Sequence, residues 1–568
     1  MANIITDGLM VAQRKRVEEK HQNPALVVVG SHGSHYPYSW KDYMLSAECV
    51  ATAINHLGLI ESGKENFIAI IPLNLPESLF AMLGIIAAGG VPVPINPPLL
   101  KNDSGLAELE YILSDCRPKT VLVNQEIIFS EHFQRTQLAR DETKFFSIDF
   151  LISKGAELLN NGVGPPNYGA EKDMDDILIM PYTSGTTGMP KGVMLTHGNI
   201  LDRVRASVEH FDISNRDRVI SHLSLGHISD LIVVFFNHLA GGYTVYFSEY
   251  SQYSIDKPEF LKDNFQAFMQ AVRPTVFATV PKVWKGLMDK IEEKLRIIPK
   301  PFRPLAGALM KNKINKAIGL DKARLCISAA APQSSEVVRY FSELDIYIQD
   351  VYGQTEVAGP VAINGSAIGD IRIDLKEKEK NGEEGSEILI SGNAVMKGYY
   401  NNTEETSRRL VEYAGLTFFK SGDLAKVMVN PVSGIFDRFE FLARSGDGYK
   451  MANGQFMSGI CIRGLQCAIA ALFPNILSET NILIYGEGKN YNVALVFVDF
   501  GGSIEKQNEL ERKLTNQLHK IGEGYHMVTE LKVLDRNKYL EVTPTEKVKR
   551  AKTVKGCMRF INKMYGEK

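Results

Sequence analysis

Tyr182-Thr183-Ser184-Gly185-Thr186-Thr187-Gly188-Met189-Pro190-Lys191, read with Pro181 before it, is the stretch that decides the fold. An apolar run of strand length, Ile177-Leu178-Ile179-Met180, leads into it, and Gly192-Val193-Met194-Leu195-Thr196-His197 follows. Thr183, Ser184, Thr186 and Thr187 supply hydroxyls, Gly185 and Gly188 let backbone N–H groups come close, and Lys191 supplies a point charge. Those residue types in that order suit a phosphate cradle behind a strand. The stretch is not a Walker A loop, because Pro190 and Gly192 break the required ending, and it is not GxGxxG. A flexible Ser/Thr/Gly linker seldom follows a buried-type strand and carries a fixed Pro-Lys-Gly.

On either side, short β-rich runs alternate with helical ones. Ala25–Val29, Phe67–Ile71, Val91–Ile95 and Thr120–Val123 read as strands, and Trp40–Leu57, Pro76–Ala88 and Leu106–Cys116 as helices. That alternation predicts parallel sheets covered by helices. Farther on, Arg218–Leu223 and Val493–Val498 read as strands and Leu510–Ile521 as a helix. The charged, Gly-containing stretch Lys376–Gly385 reads as an exposed loop.

The chain has 568 residues, 44% of them hydrophobic and 23% charged, enough for several domains of the soluble globular class. A formal net charge of −2 argues against a dedicated nucleic-acid binder, whose affinity rests on neutralising phosphates. Cys49, Cys116, Cys326, Cys461, Cys467 and Cys557 form no CxxC pair and read as reduced, mostly buried thiols of a cytoplasmic protein. The N-terminus has no signal-type apolar core. Phe67–Ile95 and Leu231–Phe247 are apolar, but polar residues interrupt both before the roughly 18 uninterrupted apolar residues of a membrane span are reached.

Five more stretches carry chemistry. His227 follows a strand end, where open α/β sheets bind ligands; a satisfied structural histidine is the alternative. His222 and His227 lack zinc-pair spacing. Leu325-Cys326-Ile327-Ser328-Ala329-Ala330-Ala331-Pro332 is a strand ending in small side chains, which leave room for a ligand or for a closely packed helix. In Asp350-Val351-Tyr352-Gly353-Gln354-Thr355-Glu356 an aromatic can stack on a purine, a glycine permits close approach, and a carboxylate can hold a hard cation. Asp423 follows Gly422 in an expected turn between strands. Near the end, Thr543-Pro544-Thr545-Glu546-Lys547-Val548-Lys549-Arg550 is by itself a basic surface turn.

Taken together, these motifs resemble those of the acyl-adenylate-forming (AMP-binding) superfamily over most of the chain. Within it, Val280-Pro281-Lys282-Val283-Trp284, Tyr352–Glu356 and Thr543-Pro544-Thr545 are most like long-chain fatty-acid–CoA ligases. The resemblance implies an α/β fold: a large N-terminal domain, residues 1–445, with helix-covered, mostly parallel sheets, and a smaller mobile α+β domain, residues 446–568. It implies that Thr183, Ser184, Gly185, Thr186, Thr187, Gly188, Lys191, Ala330, Ala331, Pro332, Asp350, Tyr352, Gly353, Gln354, Thr355, Asp423 and Arg444 bind ATP or AMP. Tyr352 would flank adenine and Asp423 the ribose hydroxyls. Glu356 and Thr183 would face Mg²⁺, and His227 would border the acyl site. Asp447 and Lys450 would belong to the hinge and the CoA side, and Lys547 would be the catalytic lysine, with Lys549 as competitor.

The implied reaction converts a long- or medium-chain fatty acid and ATP to acyl-AMP, then to acyl-CoA, with Mg²⁺. The alternatives are an acyl-AMP ligase that loads an acyl carrier protein and a non-catalytic acyl- or nucleotide-binding relative. The expected location is cytoplasmic, with peripheral membrane contact left open. The chain departs from the family pattern at Ser224, where proline is usual, at Gly446, where lysine is common, at Met451-Ala452-Asn453-Gly454 after Lys450, at Arg463, often Glu, and at Glu546, often Gly.

Overall fold

The computed structural model describes the chain apart from residues 1–16, 18–22, 31–32, 62–64, 102, 137–138, 140–144, 166–172, 184–188, 250–257, 296–302, 378–385, 430–435, 445–446, 453–455, 475, 519–520, 523–526, 543–547 and 567–568. Two compact units divide it. The larger is built from Met1–Thr183, Met189–Arg372 and Ser391–Phe419, and the smaller takes in Ile373–Ile390 and Lys420–Lys568. Asp423 and Arg444 both fall in the smaller unit.

In the larger unit the expected alternation produces parallel sheets. The biggest has nine strands, in the order Ser366–Ala367, Gly359–Ile363, Ile348–Gln354, Leu325–Ala329, Val276–Thr279, Arg218–Ile220, Thr244–Ser248, Leu26–Val29 and His35–Tyr38. The six strands from Ile348–Gln354 to Leu26–Val29 run parallel; the outer ones fold back antiparallel. A second sheet, Val91–Pro94, Phe67–Ile71, Val121–Val123 and Phe145–Ser147, is parallel throughout. Phe67–Ile71 is buried at every position, as expected of a strand covered on both faces.

Local signals explain the helices. Trp40–His56 starts at a capping box in which Ser39 accepts from Asp42 N–H and Asp42 accepts from Ser39 N–H. Pro76 opens the next helix, where its missing N–H costs nothing. Pro281–Leu295 buries Trp284 between Phe277 and Phe341, and its indole N–H donates to Ile327 O at 3.1 Å. That segment is core. The apolar run Leu231–Phe247 divides into a π-helical Leu231–Phe236, the helix Asn237–Gly241 and the strand Thr244–Ser248. No helix among the described residues is long and apolar enough to cross a membrane.

The smaller unit has a three-stranded sheet, Ile482–Tyr485, Asn492–Val498 and Val528–Asp535, with helices Gly459–Leu472, Ile504–Thr515 and Arg550–Met564. Asn492–Val498 is buried throughout. The helix expected at Leu510–Ile521 instead begins at Ile504, because Ser503 caps it by accepting from Lys506 N–H. Leu518 and Ile521 still reach the core, from beyond its end. Four of the six cysteines are buried; Cys461 is half-buried and Cys467 exposed, and all six are free thiols. The loop expected at Lys376–Gly385 lies mostly outside the described residues.

Candidate active site

Ser184–Gly188 lie outside the described residues, but both ends of that stretch are placed. Tyr182–Thr183 and Lys191–Thr196 pair antiparallel, with Thr183 opposite Lys191. Lys191 therefore stands at the base of a hairpin. Its Nζ donates to Glu405 Oε1 at 2.6 Å and lies 5.0 Å from the centre of the Tyr399 ring. The Tyr399 hydroxyl donates to Glu356 Oε1 at 2.9 Å. The lysine expected at the phosphates and the carboxylate expected at the cation thus both contact one buried tyrosine, at its ring face and its hydroxyl.

Glu356 belongs to a short 3-10 turn, Thr355–Val357, that continues the strand Ile348–Gln354. Its backbone carbonyl accepts from Met396 N–H at 2.9 Å, fixing the turn against the segment that leads to Tyr399. Asp350 sits opposite Ser328 in the parallel register. Tyr352 is half-buried, and its hydroxyl accepts from Gln354 Nε2 at 3.3 Å. Gly353 has a structural cause of its own: a Cβ there would lie 2.0 Å from Gly359 O. The close approach that this glycine permits is to its own hairpin partner, at a bulge in the pairing.

The neighbouring strand Leu325–Ala329 ends in Ala330, which has a φ of 73°. A non-glycine residue in the left-handed region is strained, and such strain clusters at functional sites. Ala331 and Pro332 follow, both half-buried. Ser328, fully buried, donates to Gln333 Oε1 at 2.7 Å across the turn. Because these strands are parallel, Ala330, Glu356 and the segment after Arg218–Ile220 all leave the same edge of the sheet.

His227 lies on that last segment. Asn96 Nδ2 donates to His227 Nε2 at 2.7 Å, and Asn96 Oδ1 accepts from Ser224 Oγ at 2.7 Å. An Nε2 that accepts belongs to a neutral imidazole with its proton on Nδ1. Ser224, a departure from the family pattern, therefore has a task that proline cannot perform. His222, by contrast, is half-buried, stacked on Phe277 and bonded to Thr279 Oγ1 at 2.9 Å, and burial pushes its pKa down to about 4. It is a structural histidine.

The other expected residues belong to the smaller unit. Asp423 is not in a turn between strands. It lies inside the long strand Leu416–Val429, directly opposite Arg444 on Phe436–Arg444, with Oδ1 3.5 Å from Arg444 Nε. The preceding Gly422 has a φ of 72°, so the turn-like backbone is a local kink within the ladder. Asp423 is 3% exposed. The backbone N–H of Asp447 donates to Arg444 O at 3.2 Å. Burial raises the Asp447 pKa, against the opposing charges of Arg550 and Arg444. Ser445 and Gly446 lie outside the described residues, and Lys450 pairs with Phe456 in a short β-ladder. Lys547 is also outside them, but its loop is closed by a bridge between Val542 and Val548 and by Lys549 N–H donating to Glu541 O at 2.8 Å.

Two functional candidates, Tyr399 and Glu405, were given no role from the sequence. Gly398-Tyr399 forms a two-residue strand outside the motifs named above, and Glu405 sits unremarkably in a polar helix, Thr403–Arg409. The signal was a buried-type Gly-Tyr beside an Asn-capped turn rich in charge.

Among the described residues, no group of three or more His, Cys, Asp or Glu side chains is placed to hold a metal. Mg²⁺ keeps several waters and takes one or two carboxylates together with substrate phosphates. Glu356 could supply such a carboxylate.

Comparison with known proteins shows the family. Residues 14–400 match the AMP-binding enzyme family. Long-chain-fatty-acid–CoA ligase 5 of Mus musculus is 25% identical over 623 aligned positions, covering 94% of this chain and 86% of that protein. Long-chain-fatty-acid–CoA ligase ACSBG2 of Rattus norvegicus is 26% identical, covering 65% of this chain and only 61% of that protein. The adenylation domain of a carboxylate reductase from Mycobacterium chelonae superposes with a TM-score of 0.75 at 18% identity, over 98% of this chain and 91% of that one. The o-succinylbenzoate CoA synthetase of Bacillus subtilis does so with a TM-score of 0.67 at 18% identity, over 95% and 97%. The α/β class expected from the sequence is thereby established, and the chain belongs to the AMP-binding enzyme family.

Proposed function

We propose that the protein is an ATP-dependent acid–thiol ligase. It joins a long- or medium-chain fatty acid to AMP, then passes the acyl group to CoA, releasing AMP and pyrophosphate. The observation that carries the reading is the pairing of Lys191 and Glu356 through Tyr399, a cation suited to phosphates and a carboxylate suited to a hard cation. Family membership and the fatty-acid–CoA ligase relatives support the class of acid.

In this reading the carboxylate of the acid attacks the α-phosphorus of ATP, and pyrophosphate leaves. Negative charge grows on the phosphate oxygens. Lys191, with Lys547 of the smaller unit, is suited to stabilise it electrostatically. Mg²⁺ would supply further charge neutralisation at the phosphates, with Glu356 and Thr183 as its protein partners. His227, oriented by Asn96, would border the acyl carboxylate, and Ala330, Ala331, Pro332, Asp350, Tyr352, Gly353, Gln354 and Thr355 would line the nucleotide. Asp423 would accept from the ribose hydroxyls, with Arg444 as its neighbour. The CoA thiolate then attacks the acyl carbon and AMP leaves; Asp447 and Lys450 would serve the change of domain arrangement between the two steps.

A screen of pyrophosphate release over acids of graded length, with and without CoA, tests this. Release that rises with fatty acids and yields acyl-CoA bears the proposal out. Turnover only with an acyl carrier protein favours the carrier-loading alternative, and background release with every acid overturns the enzyme reading.

A further inference from the structure

Glu405 is one carboxylate facing three cations. Its Oε1 accepts from Lys191 Nζ at 2.6 Å and from Arg409 Nε at 3.3 Å, and its Oε2 is 2.6 Å from an Arg408 guanidinium nitrogen. The residue is 9% exposed, whereas the Arg408 side chain is 66% exposed. Burial alone would raise its pKa, but the hydrogen bonds from Lys191 and Arg408 and the Lys191 charge outweigh this and hold it down at about 2. Glu405 is therefore an anion at any working pH.

Tyr399 is tied to the same short helix: its backbone N–H donates to Thr406 Oγ1 at 2.9 Å. Its hydroxyl donates to Glu356 Oε1 at 2.9 Å. One helix thus holds both charged groups, Lys191 through Glu405 and Glu356 through the tyrosine. The ammonium lies over the face of the Tyr399 ring, 5.0 Å from its centre, and the carboxylate accepts from the hydroxyl at its edge.

We propose that Tyr399 and Glu405 are positioning residues that set Glu356 and Lys191 in place before nucleotide binds. The inference rests on the ATP reading of this site. It makes a prediction opposite in sign to simple electrostatics. Neutralising Glu405 raises the local positive charge, and if Glu405 merely competed with phosphates for Lys191, ATP would then bind more tightly.

The test uses the full-length protein with Glu405→Gln, Glu405→Asp and Tyr399→Phe. MgATP binding is measured by calorimetry, and the pyrophosphate-release rate against ATP and Mg²⁺. Glu405→Gln is expected to raise the ATP KM about tenfold, the scale of one hydrogen bond to a charged group, with partial recovery in Glu405→Asp. Tyr399→Phe is expected to raise the Mg²⁺ concentration for half-maximal rate about tenfold, with a smaller change in ATP KM. A lower ATP KM in Glu405→Gln, or variants that lose thermal stability while keeping wild-type ATP and Mg²⁺ dependence, overturns the inference. The two readings fail separately. Wild-type protein that binds MgATP yet releases no pyrophosphate with any acid sinks the ligase reading, while the binding shifts still decide the positioning role. Wild-type protein that binds no MgATP overturns both.

Discussion

Glu405 in the larger unit and Asp447 in the smaller are both shielded carboxylates with cations around them, and they respond in opposite ways. Glu405 is held down at about 2, whereas Asp447 is raised. The difference is contact. Lys191, Arg408 and Arg409 reach the Glu405 oxygens directly, so each bond favours the charged form. Arg444 and Arg550 act on Asp447 as charges, Asp423 opposes them, and burial dominates. A cluster of arginines therefore says little about a carboxylate until its distances are known. Of these two carboxylates, direct bonds govern the one in the larger unit and burial the one in the smaller.

The largest expected effect lies in the smaller unit. Lys547→Ala should slow acyl-AMP formation by roughly 10²–10³, as removal of one oxyanion-type donor does. Given presynthesised acyl-AMP and CoA, the same variant should make acyl-CoA at a near-wild-type rate. Lys549→Ala should leave both half-reactions largely intact, since the backbone of that residue closes the loop. Equal slowing of both steps by Lys547→Ala would break the assignment of separate tasks; loss of adenylation in Lys549→Ala instead would move the catalytic role to that lysine.

Glu356→Gln should reduce adenylation on the order of a hundredfold at limiting Mg²⁺, because a neutral amide is a poor partner for a hard cation. Pyrophosphate release measured across a Mg²⁺ series decides it, and wild-type activity at the low end contradicts the assignment. Asp423→Ala should weaken ATP binding about tenfold, the scale of a hydrogen bond to a charged group. A ribose-deoxygenated ATP analogue should then be poorly discriminated from ATP, and undiminished discrimination would rule out the ribose role.

The smallest effect concerns pH and sharpens the comparison itself. The Glu405 pKa falls from an ordinary 4.5 to about 2 on folding, so its contribution to stability is complete above about 4.5 and is lost as pH falls toward 2. Allowing for the solvent-exposed Arg408, that contribution is about 1–2 kcal/mol. The unfolding midpoint of Glu405→Gln should sit below wild type at pH 7 and converge on it as pH approaches 2. Asp447 has the opposite sign: its raised pKa means that the charged form costs stability above its ordinary 3.8. Asp447→Asn should then be neutral or slightly stabilising at pH 7. A marked drop in its midpoint would mean that arginine contacts, and not burial, govern Asp447.

Much of the architecture could be read from one sequence. Phe67–Ile71 was read with its observed ends, and Trp40–His56, Pro76–Ala87 and Val91–Pro94 to within one residue, because Ser39, Pro76 and the apolar runs are signals carried within a few positions. Lys191, Glu356 and Asp423 were singled out as candidates because each sits in a short motif. What sequence could not show was which groups meet. Glu405 lies 214 positions from Lys191, and Tyr399 lies 43 from Glu356. No local pattern encodes such pairs; they form only when the Gly398–Tyr399 strand pairs with Lys191–Thr196. For the same reason Asp423 looked like a turn residue beside a glycine, until pairing with Phe436–Arg444 drew it into a ladder opposite Arg444. Local backbone preference and hydrophobic period act over a few residues and determine elements and motifs. Burial, partner identity and protonation depend on contacts between distant residues, and only the tertiary structure decided those.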